Sequence, residues 1–236
     1  MEKPASLPLG FPASHGCNRN GFLFLCRMLS FRIFNFPVYV QPWFWLTLGL
    51  IGGGLHATSS YEFFLVLMFM IAGFVSILVH ELGHALMIRK FGYPTEIHLV
   101  AFGGLATFPA GGLSRKESFI VTAAGPAIQF ILGLFALLLL NVAPIPAESL
   151  MRNLLASLVW VSIVWSILNC LPILPMDGGQ MLAAVLGPKR QKMTHLIGII
   201  FAALLAAYAF LILGSLLLAV FSAYFAYLNG KQYQAA

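Results

Sequence analysis

Charge is what this sequence has least of. Only 8% of its 236 residues are Asp, Glu, Lys or Arg, against roughly a quarter in soluble domains. Thirteen basic and seven acidic side chains cannot cover a soluble surface of this size, and 60% of the residues are hydrophobic. A soluble globular enzyme is excluded, and so is a disordered chain, which needs the opposite composition. Cysteine is scarce as well. Cys17, Cys26 and Cys170 are odd in number and form neither CxxC nor metal-ligand spacing, so no disulfide framework follows. Aspartate is scarcest of all: Asp177 is the only one.

What is present is a series of apolar runs and a mean hydropathy of +0.92, the composition of a multi-span membrane protein. Residues 1–27 are mixed, contain Pro4, Pro8 and Pro12, and lack the continuous apolar core of a signal peptide. They read as a flexible extension or as a start placed too early. The apolar stretches run from about Trp43 to Leu55, Phe63 to Ile88, Phe119 to Leu140, Leu154 to Cys170, and Leu196 to Leu228. Pro172 and Pro175 break the fourth, because proline cannot donate the helical hydrogen bond. A short helix over 179–186 is expected next. The last stretch, as one helix, would span about 50 Å, far more than the roughly 30 Å hydrocarbon core. Two helices turning near Gly214-Ser215 fit better.

Six spans with a cytoplasmic N-terminus place twelve of the thirteen basic residues on the cytoplasmic side, and only Arg152 opposite. That is the positive-inside pattern. The basic residues therefore read as topology determinants rather than a nucleic-acid footprint, in spite of the net charge of +6. Between the second and third spans, Ile97, Leu99 and Ala101 alternate with Glu96, His98 and Val100, and Gly103-Gly104 follows. This predicts a short β-hairpin dipping into the membrane boundary. The expected fold is thus an all-α membrane protein of about six transmembrane helices with one small hairpin. Residues 28–187 form its core and 188–236 a C-terminal helical hairpin.

The second span carries His80-Glu81-Leu82-Gly83-His84, an HExxH pattern. Positions i and i+4 share a helix face, so both imidazoles can face one metal, with Glu81 beside them as general base. Two His and one Glu inside an apolar span are costly unless they are paired or functional, which argues against a chance match. A hydrolytic zinc usually takes three protein ligands. Asp177 follows the broken helix end LNCLPILPMDGG at a depth that could match His80 and His84. It can be the third ligand, the N-cap of the following helix, or both.

HExxH in an early span, followed by Asn169, Pro172, Pro175, Asp177 and Gly178 as N-x-x-P-x-x-P-x-D-G, resembles the site-2 protease family of intramembrane zinc metalloproteases. The Phe102-Gly103-Gly104 hairpin and Ala124-Gly125-Pro126 also resemble that family, and the similarity covers about residues 28–187. The resemblance implies one zinc ion per chain on His80, His84 and Asp177, with Glu81 activating water. It implies a role for Asn169 at the scissile carbonyl or its oxyanion, where the alternative is capping of the broken helix. The family commonly has Asn shortly after the Gly-Pro of the third span; here Gln129 stands nearby, with a longer reach. Hairpin residues Ile97, Leu99, Phe102, Gly103 and Gly104 would pair with an unwound substrate strand, or else plug the core as a structural loop. The expected partners are a transmembrane protein substrate and the lipid bilayer, with a regulatory membrane partner or a homo-oligomer left open. Access to the site is expected from the cytoplasm. The competing class is a metal-binding membrane protein without catalysis, either a silent relative or a metal transporter. Transport would favour polar residues along a path and paired repeats, neither of which is visible.

Overall fold

The structure is a computed structural model in which residues 29–101, 103–107 and 112–235 are described. The expectations for residues 1–27 and Phe102 lie outside the described residues. Two strands come first, β1 (Leu29–Ile33) and β2 (Phe36–Val40), followed by helices α1 (Pro42–Ile51) and α2 (Ser60–Lys90). Strands β3 (Glu96–Val100) and β4 (Gly103–Thr107) come next. Helices α3 (Arg115–Val142), α4 (Leu150–Asn169), α5 (Asp177–Leu186), α6 (Gln191–Leu211) and α7 (Leu216–Ala235) complete the chain.

The expected hairpin is there as β3–β4, but it is half of a larger object. All four strands form one sheet in the order β1-β2-β3-β4. β2 runs parallel to β3, with Val38 opposite Ile97 and Val40 opposite Leu99. The all-α expectation is corrected accordingly. Val38, Val40, Ile97 and Leu99 are buried under α1 and α2 against Phe44, Leu48, Ile77 and Leu82. Burial of each such side chain is worth about 1.5–3 kcal/mol. A one-residue slip would turn them all to the other face, which fixes the register.

The β1–β2 turn uses Phe34 and Asn35, both at positive φ (48° and 67°), as two-residue hairpin turns of matching twist require. Asn suits that conformation and Phe does not. The Phe34 carbonyl accepts a 2.8 Å hydrogen bond from Arg89 at the end of α2, and the Arg89 guanidinium lies 4.2 Å over the Phe36 ring.

Both long central helices begin with reciprocal capping boxes, Ser59 with Glu62 in α2 and Ser114 with Glu117 in α3. These satisfy amide groups that a helix start leaves open. Helices in a membrane associate through close packing rather than through hydrophobic burial, and α2 meets α3 in this way. A Cβ on Gly83 would lie 2.6 Å from the Ala124 carbonyl oxygen.

Four segments among the described residues are long and apolar enough to cross a membrane: Ser60–Lys90, Arg115–Val142, Leu150–Asn169 and Pro188–Leu211. Six spans were expected. α1 has only 10 residues, about 15 Å of helix, and α7 ends in the polar run NGKQYQ. The last apolar stretch does divide in two: α6 and α7 are joined across Ile212–Ser215, where Gly214 has φ 61°.

Candidate active site

The HExxH segment lies in the C-terminal third of α2, and His80, Glu81 and His84 are all buried. His80 Nε2 and His84 Nε2 approach to 3.0 Å. Asp177 brings a carboxylate from a different element: its Oδ2 lies 3.0 Å from His80 Nε2 and 3.5 Å from His84 Nε2. Asp177 is not the N-cap of α5. Met176 holds that position without a side-chain cap bond, and Asp177 is the first helical residue. There the helix dipole favours its negative charge.

Hydrogen bonds behind the histidines decide what these atoms can do. His84 Nδ1 faces the Val121 carbonyl at 2.8 Å, an acceptor only, so Nδ1 carries the proton. His80 Nδ1 faces Gln129 Oε1 at 2.9 Å. The Gln129 amide nitrogen donates to Ser76 Oγ at 2.9 Å, and Ser76 Oγ is in turn 2.9 Å from Ser162 Oγ. With the Gln129 amide in this orientation Oε1 faces His80, and an amide oxygen only accepts, so His80 Nδ1 is the donor. In both neutral imidazoles Nε2 is then left with a lone pair.

Three acceptors thus converge: two imidazole lone pairs and a carboxylate oxygen. Asp177 Oδ2 is buried and has no hydrogen-bond donor directed at it. Such a cluster could hold a cation. Its edges of 3.0, 3.0 and 3.5 Å match the roughly 3.3 Å between ligands around a tetrahedral zinc with bonds of about 2.0–2.1 Å. His80, Glu81 and His84 also present donor atoms within 4.8 Å of one another, so the glutamate stands beside the same point.

Two glycines make room for this arrangement. A Cβ at Gly125 in α3 would overlap the His84 imidazole, and one at Gly104 in β4 would overlap the Glu81 side chain. Strand β4 therefore lies directly on the glutamate. These residues border a cavity of about 520 Å³, lined by His80, Glu81, His84 and Asp177, by Gly103–Ala106 of β4, and by Asn169 of α4. Helices α6 and α7 add Leu205, Leu218, Phe221 and Phe225, with Ser222 as their one polar side chain.

Two expectations change. Gln129 does not line the cavity: it is fully buried behind His80 with its amide engaged at both ends, so it orients a ligand rather than facing substrate. Ile97 and Leu99 cannot pair with a substrate strand, because β3 is an inner strand bonded to β2 and β4, and both side chains are 0% exposed. The edge strands are β1 and β4, and of these β4, which carries Gly103 and Gly104, borders the cavity. Asn169 does line the cavity, and its amide nitrogen donates to the Trp165 carbonyl at 3.1 Å, leaving its carbonyl oxygen without a protein donor among the bonds described. The roles of Ser76 and Ser162 were not visible in sequence, since two serines 86 positions apart carry no local signal.

A buried HExxH segment with an aspartate beside it, set among membrane-length helices, is the arrangement of a membrane metalloprotein, and comparison with known proteins gives the family. The model for peptidase family M50 matches residues 68–145 and 144–213. The chain belongs to that family, the site-2 protease family, and is an integral membrane protein. It is 31% identical over 160 residues to the zinc metalloprotease MJ0392 of Methanocaldococcus jannaschii, covering 67% of this chain and 45% of that protein. It is 30% identical over 149 residues to stage IV sporulation protein FB of Bacillus subtilis, covering 61% of this chain and 46% of that one. The chain spans about half the length of these curated relatives. A solved site-2 protease from Methanocaldococcus jannaschii superposes with a TM-score of 0.61 at 26% identity, covering 87% of this chain and 94% of that chain.

Proposed function

We propose that this protein is an intramembrane zinc endopeptidase that cuts peptide bonds in or near the transmembrane segments of membrane-protein substrates. The observation that carries the reading is the triangle of acceptors at His80, His84 and Asp177, with Glu81 beside it on a cavity among apolar helices. One zinc ion per chain held by these three residues would supply Lewis acidity, polarising the scissile carbonyl and acidifying water to a pKa of about 7.

Glu81 takes the proton from the attacking water and delivers it to the amine nitrogen as the C–N bond breaks. Gln129 and the Val121 carbonyl hold the two imidazoles in the tautomer that leaves Nε2 free; Asn169 lines the same cavity, and its second amide hydrogen is the donor we assign to the charge developing on the carbonyl oxygen. A substrate helix hides its own peptide groups and must unwind first; the open edge of β4 offers backbone groups to the unwound segment. Arg89, Lys90, Arg115, Lys116, Lys189 and Arg190 fall on one side of the membrane whether the chain crosses it four or six times, and the positive-inside pattern supports that side as the cytoplasmic one. His80 lies ten residues before Lys90, so about 15 Å inside that end of α2, which supports access from the cytoplasm.

The test is reconstitution of the purified protein with single-span substrates and location of the cut by mass spectrometry. A cut within or beside the apolar segment, abolished by a zinc chelator and restored by zinc, is the expected result. Zinc binding without any cleavage would instead favour a silent metal-binding protein or a transporter.

A further inference from the structure

The C-terminal helices contribute no ligand to the acceptor triangle, yet they hold a second buried polar cluster. Asn229 of α7 is 2% exposed and uses its amide fully. One amide hydrogen goes to the Leu174 carbonyl at 2.7 Å and the other to the Phe225 carbonyl at 2.9 Å. Its Oδ1 lies 3.2 Å from His195 Nδ1 of α6, the donor of that pair. α6 carries a glycine at the crossing: a Cβ on Gly198 would lie 2.7 Å from Asn229 Oδ1. The cluster is therefore shaped around an asparagine.

The bond to Leu174 is the one that reaches the site. Leu174 lies three residues before Asp177, in the proline-broken backbone between α4 and α5. The neighbouring Pro175 carbonyl accepts from Gln180 of α5 at 3.0 Å, so α5 secures that group itself, whereas the Leu174 carbonyl bonds across to α7. An unpaired carbonyl at depth in an apolar interior is costly, so this bond persists whenever α7 is in place. His80 and His84 stand on a helix of 31 residues. Asp177 stands at the first turn of a helix of 10, with no side-chain cap. Of the three acceptors, it alone depends on a neighbouring segment for its place.

The geometry points to Asn229, set by His195 and Gly198, as a positioning residue: it holds the 171–176 backbone so that Asp177 meets the two histidines. This rests on the zinc peptidase reading above. Partners behind a metal ligand typically change affinity by 10–100-fold, and the lower end applies here because Asn229 acts through the backbone.

The test uses the full chain in detergent with Asn229→Leu, which keeps the bulk and removes all three hydrogen bonds. Zinc affinity is read by chelator competition, and hydrogen–deuterium exchange over 171–180 is read in the zinc-free protein. About tenfold weaker zinc binding, faster exchange over that segment, and a lower kcat at unchanged KM are expected. Gly198→Ala keeps Asn229 but displaces its amide and should shift the same readouts less; it decides the matter if Asn229→Leu fails to fold. Unchanged zinc affinity and unchanged exchange, even in a variant with a lower melting temperature, would overturn the proposal and leave Asn229 as glue between α6 and α7. Wild-type protein that binds no zinc would defeat the peptidase reading instead. The exchange measurement needs no metal and still decides whether Asn229 holds the Asp177 segment.

Discussion

The two halves of the proposed metal centre are built differently. The histidine half stands in the interior of one long capped helix, α2, where spacing alone puts both rings on one face. The aspartate half stands at the start of a short helix after a proline-broken turn, and it reaches the histidines only because α5 packs against α3 and the turn is secured from α7. Local geometry makes the first half; tertiary packing makes the second. The histidine half should therefore fail through its own side chains, and the aspartate half also through residues far from it.

The largest effect is expected for His80→Ala and His84→Ala. Each removes a ligand from a set of three, and zinc content by atomic absorption should fall to background along with cleavage. Gly125→Ala attacks the same half without touching a ligand: the added methyl overlaps the His84 ring, and zinc affinity should drop severalfold or more in a chelator titration. Gln129→Leu leaves His80 Nδ1 and Ser76 without their amide partner. Loss of such a partner typically costs 10–100-fold in metal affinity, whereas a substrate-facing Gln129 would raise KM and leave zinc unchanged.

A different split is expected where β4 lies on Glu81. The methyl of Gly104→Ala would displace the glutamate, and misplacing a catalytic group by about 1 Å can cost on the order of 10²-fold. Zinc should be retained, so a loss of metal in this variant would contradict the arrangement. The smallest effect is expected at Ser162→Ala, which removes the outer end of the hydrogen-bond chain behind His80 and should weaken zinc by no more than a few-fold.

The same contrast explains what the sequence reveals and what it hides. HExxH, the broken helix before Asp177, the β3–β4 hairpin and the turn near Gly214 are local patterns, and all can be read from consecutive residues. β1 and β2 cannot, because their turn is Phe34-Asn35 rather than a glycine pair, and β2 finds its partner β3 more than fifty residues later. That parallel pairing also makes β3 an inner strand, so the alternation of Ile97 and Leu99 marks a buried face rather than a docking edge. Gln129 is misread for a related reason: an amide near the site in sequence can stand in front of a ligand or behind it, and only the α2–α3 packing decides which.

The central claim is that His80, His84 and Asp177 bind zinc while Glu81 performs the proton transfer. Glu81→Gln tests it most directly, measured beside the wild type for zinc content and for cleavage of a single-span substrate. One zinc per chain is expected in both proteins, with a loss of cleavage in the variant of about 10²–10⁴-fold, the range for a general base. Cleavage near the wild-type rate with Gln at position 81 would contradict it.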